Sequence, residues 1–240
     1  MTLSAEETQR LSEQFECKTP QEILAWAIER FWPDVALSSS FQTQSIPLLH
    51  MAIQMRPDIR ILFLDAGLHF WETLIFRERM EMDWHLSVVD LRRDSRWDNF
   101  CQRYGRDLLL EDPNLCCYIQ KVQPMQKVLE GLRAWVTGIR RDRTEVRAHA
   151  RILELQPDGL LKINPLLNWT KQDVQTYITA HNLPAHPLLE RGYRSVGCAP
   201  CTRPAAPDEP DLPDAGPGAA RPSAACTPRC LHRKTCFSMH

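Results

Sequence analysis

The chain has 240 residues, with 29 basic and 30 acidic side chains and a formal charge of −1. This length suits one substantial core, and the balanced charge argues against nucleic acid or a membrane surface as a partner. No stretch approaches the about 20 apolar residues of a membrane-spanning helix, and the polar N-terminus lacks the apolar region of a secretion signal. We therefore expect a cytoplasmic protein that binds anions through local placement of Arg and Lys.

Helices and continuous apolar strands alternate along most of the chain. Thr19, Pro20 and Glu22 predict the capped start of a helix. The other expected elements are strands at 35–37, 59–64, 85–90 and 134–139 and helices at 46–55 and 71–82. Continuous apolar strands that alternate with helices are typical of a mostly parallel sheet with helices on both faces. The predicted fold class is therefore α/β.

The composition changes after Cys201. Residues 202–240 contain seven of the 18 prolines and few large apolar side chains. Such a segment buries too little surface to offset the entropy lost on ordering. We expect one domain over 1–201, including an N-terminal helical segment at 1–31, and a disordered tail over 202–240.

Four of the nine cysteines form two close pairs, Cys116-Cys117 and Cys198-x-x-Cys201. Adjacent cysteines do not easily form a disulfide with each other, because the peptide between them resists the required geometry. Two such pairs on distant segments of a cytoplasmic chain indicate thiolates around a metal or an iron–sulfur cluster. A structural zinc ion is the alternative, but zinc sites more often use two C-x-x-C pairs or include His.

Polar residues follow the first two predicted strands. Ser38, Ser39 and Ser40 precede a helix, where hydroxyls and backbone N–H groups receive phosphate well. Asp65 and Gly67 follow the strand at 59–64, and ligands of α/β sheets bind outside these carboxyl ends. The serines could equally form an ordinary helix cap, and Asp65 could contact a ribose or adenine or cap its own turn.

Basic residues follow the last predicted strand. Arg140, Arg141 and Arg147 could bind phosphate or sulfate, because Arg binds such anions in a bidentate manner. The alternative is a solvated surface paired with Asp142 and Glu145.

Lys121 lies four residues after Cys117. If residues 116–130 are helical, one turn places its ammonium group on the same face as the cysteine pair. There it would raise the reduction potential of a cluster and hold a negative substrate nearby. The alternative is a solvent-facing lysine.

Six segments together resemble the assimilatory sulfonucleotide reductases, which reduce adenosine 5′-phosphosulfate (APS) or 3′-phosphoadenosine 5′-phosphosulfate (PAPS). They are SSSFQTQS (38–45), LFLDAG (62–67), CCYIQK (116–121), GIRRDRTEVR (138–147), INPLLNWT (163–170) and HPLLERGYRSVGCAPCT (186–202). The resemblance covers about residues 32–202 and implies an adenine-nucleotide α-hydrolase-like fold. Family members with both cysteine pairs carry a [4Fe–4S] cluster and mostly prefer APS. The ligands implied here are Cys116, Cys117, Cys198 and Cys201.

The resemblance also implies a reaction within sulfate assimilation and cysteine biosynthesis. A cysteine thiolate attacks the sulfur of APS, AMP leaves, and thioredoxin releases sulfite from the enzyme thiosulfonate. Lys121 and the arginines of 140–147 would neutralise the negative charge of the substrate. The alternatives are a PAPS reductase that yields adenosine 3′,5′-bisphosphate, a catalytically inactive nucleotide-binding iron–sulfur protein, or a zinc-stabilised nucleotide-binding module.

The chain departs from the family pattern at three places. Ala66 replaces a usual Thr, and Gln120 replaces a usual Arg. The C-terminal strings GRWWWE and ECGLH, the second of which carries the nucleophile, are missing. Cys226 is then the candidate nucleophile, with Cys230 as the alternative.

A frameshift would explain the missing string. Residues 221–227 (RPSAACT) can be encoded AGA CCG AGT GCG GCC TGC ACN. Read two bases later, the same bases give ACC GAG TGC GGC CTG CAC, which encodes TECGLH. Residues 214–218 can likewise yield Gly-Arg-Trp-x-Trp in that frame. We therefore hypothesise a frameshift after Cys201, and the alternative is a divergent tail in which Cys226 or Cys230 serves.

Overall fold

A six-stranded sheet organises the chain in the computed structural model, which describes residues 3–98 and 112–205. The strands are β1 (Val35–Ser38), β2 (Arg60–Leu64), β3 (Ser87–Leu91), β4 (Ala134–Val136), β5 (Leu153–Leu155) and β6 (Leu161–Ile163). Their order is β3-β2-β1-β4-β6-β5. Every neighbouring pair is parallel except β5 with β6. The predicted α/β fold with a mostly parallel sheet is confirmed.

Helices connect most of these strands. They are α1 (Ala5–Phe15), α2 (Pro20–Phe31), α3 (Ile46–Met55), α4 (Trp71–Trp84), α5 (Pro113–Cys117), α6 (Gln123–Leu129), α7 (Glu145–Ala148) and α8 (Lys171–Ala180). A π-helical turn over Tyr118–Val122 joins α5 to α6. The predicted start of α2 is confirmed, because Thr19 Oγ1 accepts from the Glu22 N–H at 3.2 Å and the Glu22 carboxylate accepts from the Thr19 N–H at 2.8 Å.

Both faces of the sheet are covered. In β1, Val35 and Leu37 belong to a core that includes apolar side chains of α2, α3 and α4. Ala36, between them, belongs to a second core with Met125 and Leu129 of α6. This alternation follows from the two-residue period of a strand. Solvent is thus excluded from both faces, and the carboxyl edge is the place where a ligand can approach.

Two strands differ from the predicted bounds. The helix predicted to end at residue 82 continues to Trp84, and His85 takes a left-handed conformation as its C-cap (φ 51°), so β3 begins later than expected. The strand predicted over 134–139 ends at Val136. Beyond it, the Thr137 N–H still donates to Ile163 O at 2.8 Å before the chain turns towards the site.

Helix α1 closes the antiparallel edge of the sheet. Ser12 Oγ accepts from the Leu153 N–H at 3.1 Å in a buried contact. An edge strand otherwise presents unpaired backbone groups. The tail predicted over 202–240 lies outside the described residues from 206 onward, and so do Cys226 and Cys230.

Replacing Ser12 tests this contact. In Ser12→Ala the buried Leu153 N–H loses its acceptor, which should lower the free energy of unfolding by about 1–3 kcal/mol. Urea denaturation measures the change, and Ser87→Ala on the exposed start of β3 is the matched control, expected within about 0.5 kcal/mol of wild type. Equal effects of the two substitutions would contradict the role given to Ser12.

Candidate active site

The serine-rich loop lies at the carboxyl end of β1. Ser38 Oγ accepts from Trp135 Nε1 at 2.9 Å, and the buried Ser39 Oγ accepts from the Phe41 N–H at 3.1 Å. Ser40 is exposed. Ser45 donates to Gln42 O at 2.8 Å instead of capping α3. The hydroxyls of Ser38, Ser39 and Ser45 therefore shape the loop, and Ser40 faces solvent.

Phe41 bends this loop. Its φ of 53° is in the left-handed region, which is unfavourable for a bulky side chain. The ring is fully buried and packs edge-to-face on Phe63 of β2, with the centroids 5.6 Å apart. Packing in the core therefore holds a backbone conformation that the sequence alone would not favour.

Asp65 caps its own turn at the end of β2. One carboxylate oxygen accepts from the Gly67 N–H at 3.0 Å, and the other accepts from Arg92 Nε at 2.9 Å. Gly67 has a φ of 63°, which suits glycine. Of the two roles predicted for Asp65, the turn cap is the one observed.

His69 is a site residue that the sequence reasoning missed. Its Nε2 lies 2.8 Å from Leu64 O, and its ring stacks on Phe63 at 5.0 Å. Burial lowers the pKa of His69, nearby Asp65 opposes that shift, and the positive charge of Lys121 adds to it. The sequence feature that could have identified it is a histidine five residues after a buried strand. His69 is thus a neutral imidazole beside Lys121.

The three arginines predicted to bind the substrate lie in different surroundings. Arg140 is 3% exposed and places Nη1 3.4 Å from Gln44 Oε1, in the serine-rich loop, while Asp142 binds its Nε at 3.0 Å. Arg141 forms an ion pair with Glu16 at the end of α1, at 2.7 Å. Arg147 lies on the short helix α7. The structure therefore brings Arg140 to the loop, whereas Arg141 ties α1 to the domain and its predicted substrate contact gains no support.

The two cysteine pairs occupy short helical segments. Cys116 and Cys117 end α5, whose start is capped by Asp112. Cys198 and Cys201 flank a 3₁₀ turn in which the Cys201 N–H donates to Cys198 O at 2.9 Å. All four are free thiols, and Cys116, Cys117 and Cys198 are buried.

The four cysteines lie near one another and near Lys121. Burial raises the pKa of Cys116 to about 12; charge on Cys117, Cys198 and Cys201 adds to this, and Lys121 opposes it. Such direct effects weaken with distance, so they indicate that the five groups are neighbours. The convergence of the two pairs on one cluster stays a prediction, which these charge effects support.

Four thiols, three of them buried, fit the ligand set of an iron–sulfur cluster. In residues 3–98 and 112–205, no three His, Cys, Asp or Glu side chains form a group that could hold a metal ion. A [4Fe–4S] cluster takes four cysteine thiolates and is a larger body than one ion. The number, type and burial of these thiols therefore match such a cluster.

The π-helical turn directs Lys121 towards Cys116. A π-turn closes its hydrogen bonds between residues five apart, whereas an α-turn uses four. The Gln123 N–H donates to Tyr118 O in this way. Lys121 follows Cys116 by five residues, so the wider turn brings the two to one side. The helical placement predicted for Lys121 is thus confirmed in a modified form.

Backbone contacts join the second cysteine pair to both strand-end loops. The Ala199 N–H donates to Leu68 O at 2.7 Å. The Val196 N–H approaches Gln42 Oε1 at 3.4 Å, and Gln42 Nε2 donates back to Val196 O. The cysteine centre therefore adjoins the loops after β1 and β2.

Trp97 covers the other side of the cysteine centre. Its ring packs with Leu68 against Cys116 and Ile119, and its Nε1 donates to Gln123 Oε1 at 3.2 Å. This apolar cover keeps water from Cys116.

His186 fixes the segment that leads to Cys198. Its N–H donates to Thr43 Oγ1 at 3.2 Å, its Nδ1 accepts from the Leu188 N–H at 3.2 Å, and its Nε2 lies 3.0 Å from Thr73 Oγ1. The residue is 1% exposed, and burial lowers its pKa to about 4, against a weaker opposing effect of Glu72. The imidazole is therefore neutral at physiological pH.

The fold and these side chains define an α/β protein with a serine-rich sheet edge beside four cysteines. A family model described as the phosphoadenosine phosphosulfate reductase domain matches residues 34–204. The chain belongs to this family. None of the helices in its described part is long and apolar enough to cross a membrane.

Similar proteins support this assignment. An adenosine 5′-phosphosulfate reductase of Streptomyces coelicolor is 39% identical over 196 residues, which are 81% of this chain and 82% of that protein. One from Geobacillus thermodenitrificans is 35% identical, over 79% and 82% of the two chains.

Solved structures agree. The phosphoadenylyl-sulfate reductase of Candida auris, solved as a phosphate complex, has a TM-score of 0.73 and 27% identity, over 85% of this chain and 99% of that one. Candida glabrata FMN adenylyltransferase has a TM-score of 0.55 at 18% identity and shares the fold. The predicted adenine-nucleotide α-hydrolase-like fold is confirmed.

Protonation of His186 should make stability depend on pH. An unfolded histidine takes up a proton near 6.5, whereas folded His186 does so only near 4. Between these two pH values the unfolded state binds more protons than the folded state. The free energy of unfolding is therefore highest above this pH range, and it decreases by about 3 kcal/mol as the pH is lowered through the range. His186→Gln removes the titration and keeps an N–H towards Thr73.

Urea denaturation of both proteins at about pH 7 and about pH 5 measures this effect. Wild type should lose about 2 kcal/mol more than His186→Gln between the two values. The exposed His181→Gln is the control and should follow wild type. Parallel pH dependence of wild type and His186→Gln would contradict the assignment.

Proposed function

We propose that this chain reduces adenosine 5′-phosphosulfate to sulfite and AMP in sulfate assimilation, with a [4Fe–4S] cluster and with thioredoxin as the electron donor. One observation carries the proposal: hydrogen bonds hold the segment of Cys198 against the loops after β1 and β2. Lys121 follows the first cysteine pair, and its charge acts on Cys116 and on His69 at the end of β2. A cation at this junction suits a negative phosphosulfate bound at the sheet edge.

The similar proteins favour APS over PAPS as substrate. The curated relatives described above are named APS reductases and are 35–39% identical to this chain. The Candida auris PAPS reductase is more distant, at 27% identity. The presence of both cysteine pairs agrees with this preference.

The residues at the sheet edge would bind and orient the substrate. The exposed Ser40 offers a hydroxyl donor to a phosphate. Arg140, buried beside Gln44, adds a positive charge to the same loop. Cys116, Cys117, Cys198 and Cys201 would hold a cluster, which would tune the site electrostatically rather than serve as the electron donor.

The reaction proposed balances in three steps. A cysteine thiolate forms a bond to the sulfate sulfur, and the bond from this sulfur to the phosphate oxygen breaks, so AMP leaves with the electron pair. One thiolate of thioredoxin then attacks the enzyme sulfur and displaces sulfite. The second thioredoxin thiol resolves the mixed disulfide. Lys121 would offset the negative charge that gathers during the first step.

Activity assays test this function. The protein with its tail restored to the family's reading frame, supplied with thioredoxin, should release sulfite from APS with a kcat/KM at least about tenfold above that with PAPS. Lys121→Ala should lower kcat/KM for APS about 100-fold, because the developing charge loses its cation. The exposed Lys127→Ala on α6 is the control. A preference for PAPS, or equal effects of the two lysines, would contradict this assignment.

The cysteine centre is tested by metal content. The protein purified without oxygen should contain iron and acid-labile sulfide in equal amounts, and Cys198→Ser should lose most of both. The exposed Cys17→Ser is the matched control and should keep them. Zinc without sulfide in the wild type would support a structural zinc site instead.

We further propose a reductase domain over 1–201, including the N-terminal helical segment 1–31, and a frameshifted tail over 202–240. The family match ends at residue 204, close to the change in composition. The codons described for residues 221–227 support the frameshift, which would remove the nucleophile of the family. If the tail is instead authentic and divergent, Cys226 or Cys230 is the candidate nucleophile.

Sequencing the end of the gene decides between these readings. The frameshift predicts the codons AGA CCG AGT GCG GCC TGC at 221–226. A frame-corrected protein should then release sulfite from APS, and the chain as written should bind nucleotide without turnover. Other codons at these positions, or full activity of the present chain, would contradict the frameshift.

A further inference from the structure

Strands β1 and β4 place Trp135 beside Ser38 at the carboxyl edge of the sheet. Trp135 pairs with Ala36 in the parallel register, and Ser38 lies two residues further along β1. The three side chains therefore share one face of the sheet, because the side chains of a strand alternate with a period of two. The indole Nε1 of Trp135 donates to Ser38 Oγ at 2.9 Å. Ser38 is only partly buried, so this bond lies at the open edge.

The hydroxyl protons of the loop serines differ in their acceptors. Ser39 Oγ donates to Ser45 Oγ at 3.3 Å, and Ser45 Oγ donates to Gln42 O at 2.8 Å. Within residues 3–98 and 112–205, the Ser38 hydroxyl forms one hydrogen bond, in which it is the acceptor. A serine hydroxyl carries one proton as well as its lone pairs. Ser38 therefore keeps a proton that it can donate to a ligand.

The indole of Trp135 determines where that proton can point. An indole N–H only donates, so it occupies a lone pair of Ser38 Oγ. A hydroxyl proton turned towards the indole would face the proton of the N–H group. The O–H of Ser38 therefore turns away from Trp135. A free serine hydroxyl rotates to suit any partner, whereas this one is already set as a donor.

The face that carries Ser38 is also the face on which α6 packs. Ser38 pairs with Leu62 of β2. Leu62 belongs to the second core, together with Met125 and Leu129 of α6. Helix α6 directly follows the π-helical turn that contains Lys121. A negative group at this edge would therefore meet the Ser38 proton on the side of the sheet from which Lys121 approaches.

We propose that Trp135 is a positioning residue that sets the Ser38 hydroxyl as a hydrogen-bond donor to the phosphate of the bound nucleotide. The inference rests on the proposed function, which places an adenine nucleotide at this sheet edge. Hydrogen bonds to charged oxygens are stronger than those between neutral groups, and a donor that is already oriented loses less entropy on binding. Trp135 acts through Ser38 and needs no contact with the nucleotide.

Calorimetric titration of the full chain with AMP and with adenosine tests this role, because adenosine lacks the phosphate. Wild type should bind AMP more tightly than adenosine. Trp135→Phe keeps an aromatic ring but loses the N–H. It should raise the Kd for AMP about 5- to 20-fold and change the Kd for adenosine less than about twofold. Trp26→Phe on α2, where the ring contacts Phe15 and Phe31, is the matched control and should bind both ligands like wild type.

A double-mutant cycle tests whether Trp135 acts through Ser38. Ser38→Ala removes the donor and should weaken AMP binding at least as much as Trp135→Phe does. In the Ser38→Ala background, Trp135→Phe should change the Kd for AMP less than about twofold, because no hydroxyl is left to orient. Circular dichroism checks that each variant is folded.

The contradicting results separate this inference from the proposed function. Equal effects of Trp135→Phe on AMP and adenosine, including no effect on either, would make Trp135 a structural residue and overturn the inference alone. Independent, additive effects of the two substitutions in the cycle would do the same. A wild type that binds adenosine as tightly as AMP would contradict the phosphate site, and with it both the inference and the proposed function.

Discussion

Hydrogen bonds that hold residues 186–202 against the ends of β1 and β2 are the contacts on which the site depends. Cys198 lies far along the chain from the strand-end loops, and bringing it there costs chain entropy. The Ala199 N–H to Leu68 O bond and the two contacts between Val196 and Gln42 hold it in place. His186 adds a third anchor through Thr43 and Thr73. Without these hydrogen bonds, the position of the second cysteine pair relative to the first would not be fixed.

Charge explains why Lys121 belongs in this arrangement. Buried thiols that lie close together resist ionisation, because each thiolate repels the next. A nearby ammonium group lowers that cost, and the π-helical turn places it beside Cys116. The same ammonium acts on His69 at the end of β2. In the proposed function, one lysine therefore links the cluster ligands to the substrate site at the sheet edge.

Much of the fold followed from local sequence patterns. Continuous apolar strands and the Thr19 capping box were sufficient to predict β1, β2 and α2. Strands β5 and β6 were missed, because three residues each are too few to show a period. Strand β3 begins later than predicted because His85 forms a left-handed C-cap after α4. The residue type at that position does not predict such a cap.

The site was predictable where its residues are chemically distinctive. Two cysteine pairs have few uses other than metal binding, so their convergence could be anticipated. Arginines have many uses, and sequence alone did not separate Arg140, beside Gln44, from Arg141, which pairs with Glu16. His69 was missed because one histidine after a strand is a weak signal, and its role depends on packing against Phe63.

The central claim is that the cysteine centre and the sheet-edge loops form one site. Mössbauer spectroscopy of ⁵⁷Fe-labelled protein, with and without saturating AMP, tests it most directly. The account predicts the signal of a [4Fe–4S] cluster whose parameters change when AMP binds, because both groups adjoin Lys121. A cluster spectrum that stays unchanged, while calorimetry shows AMP to be bound, would contradict it.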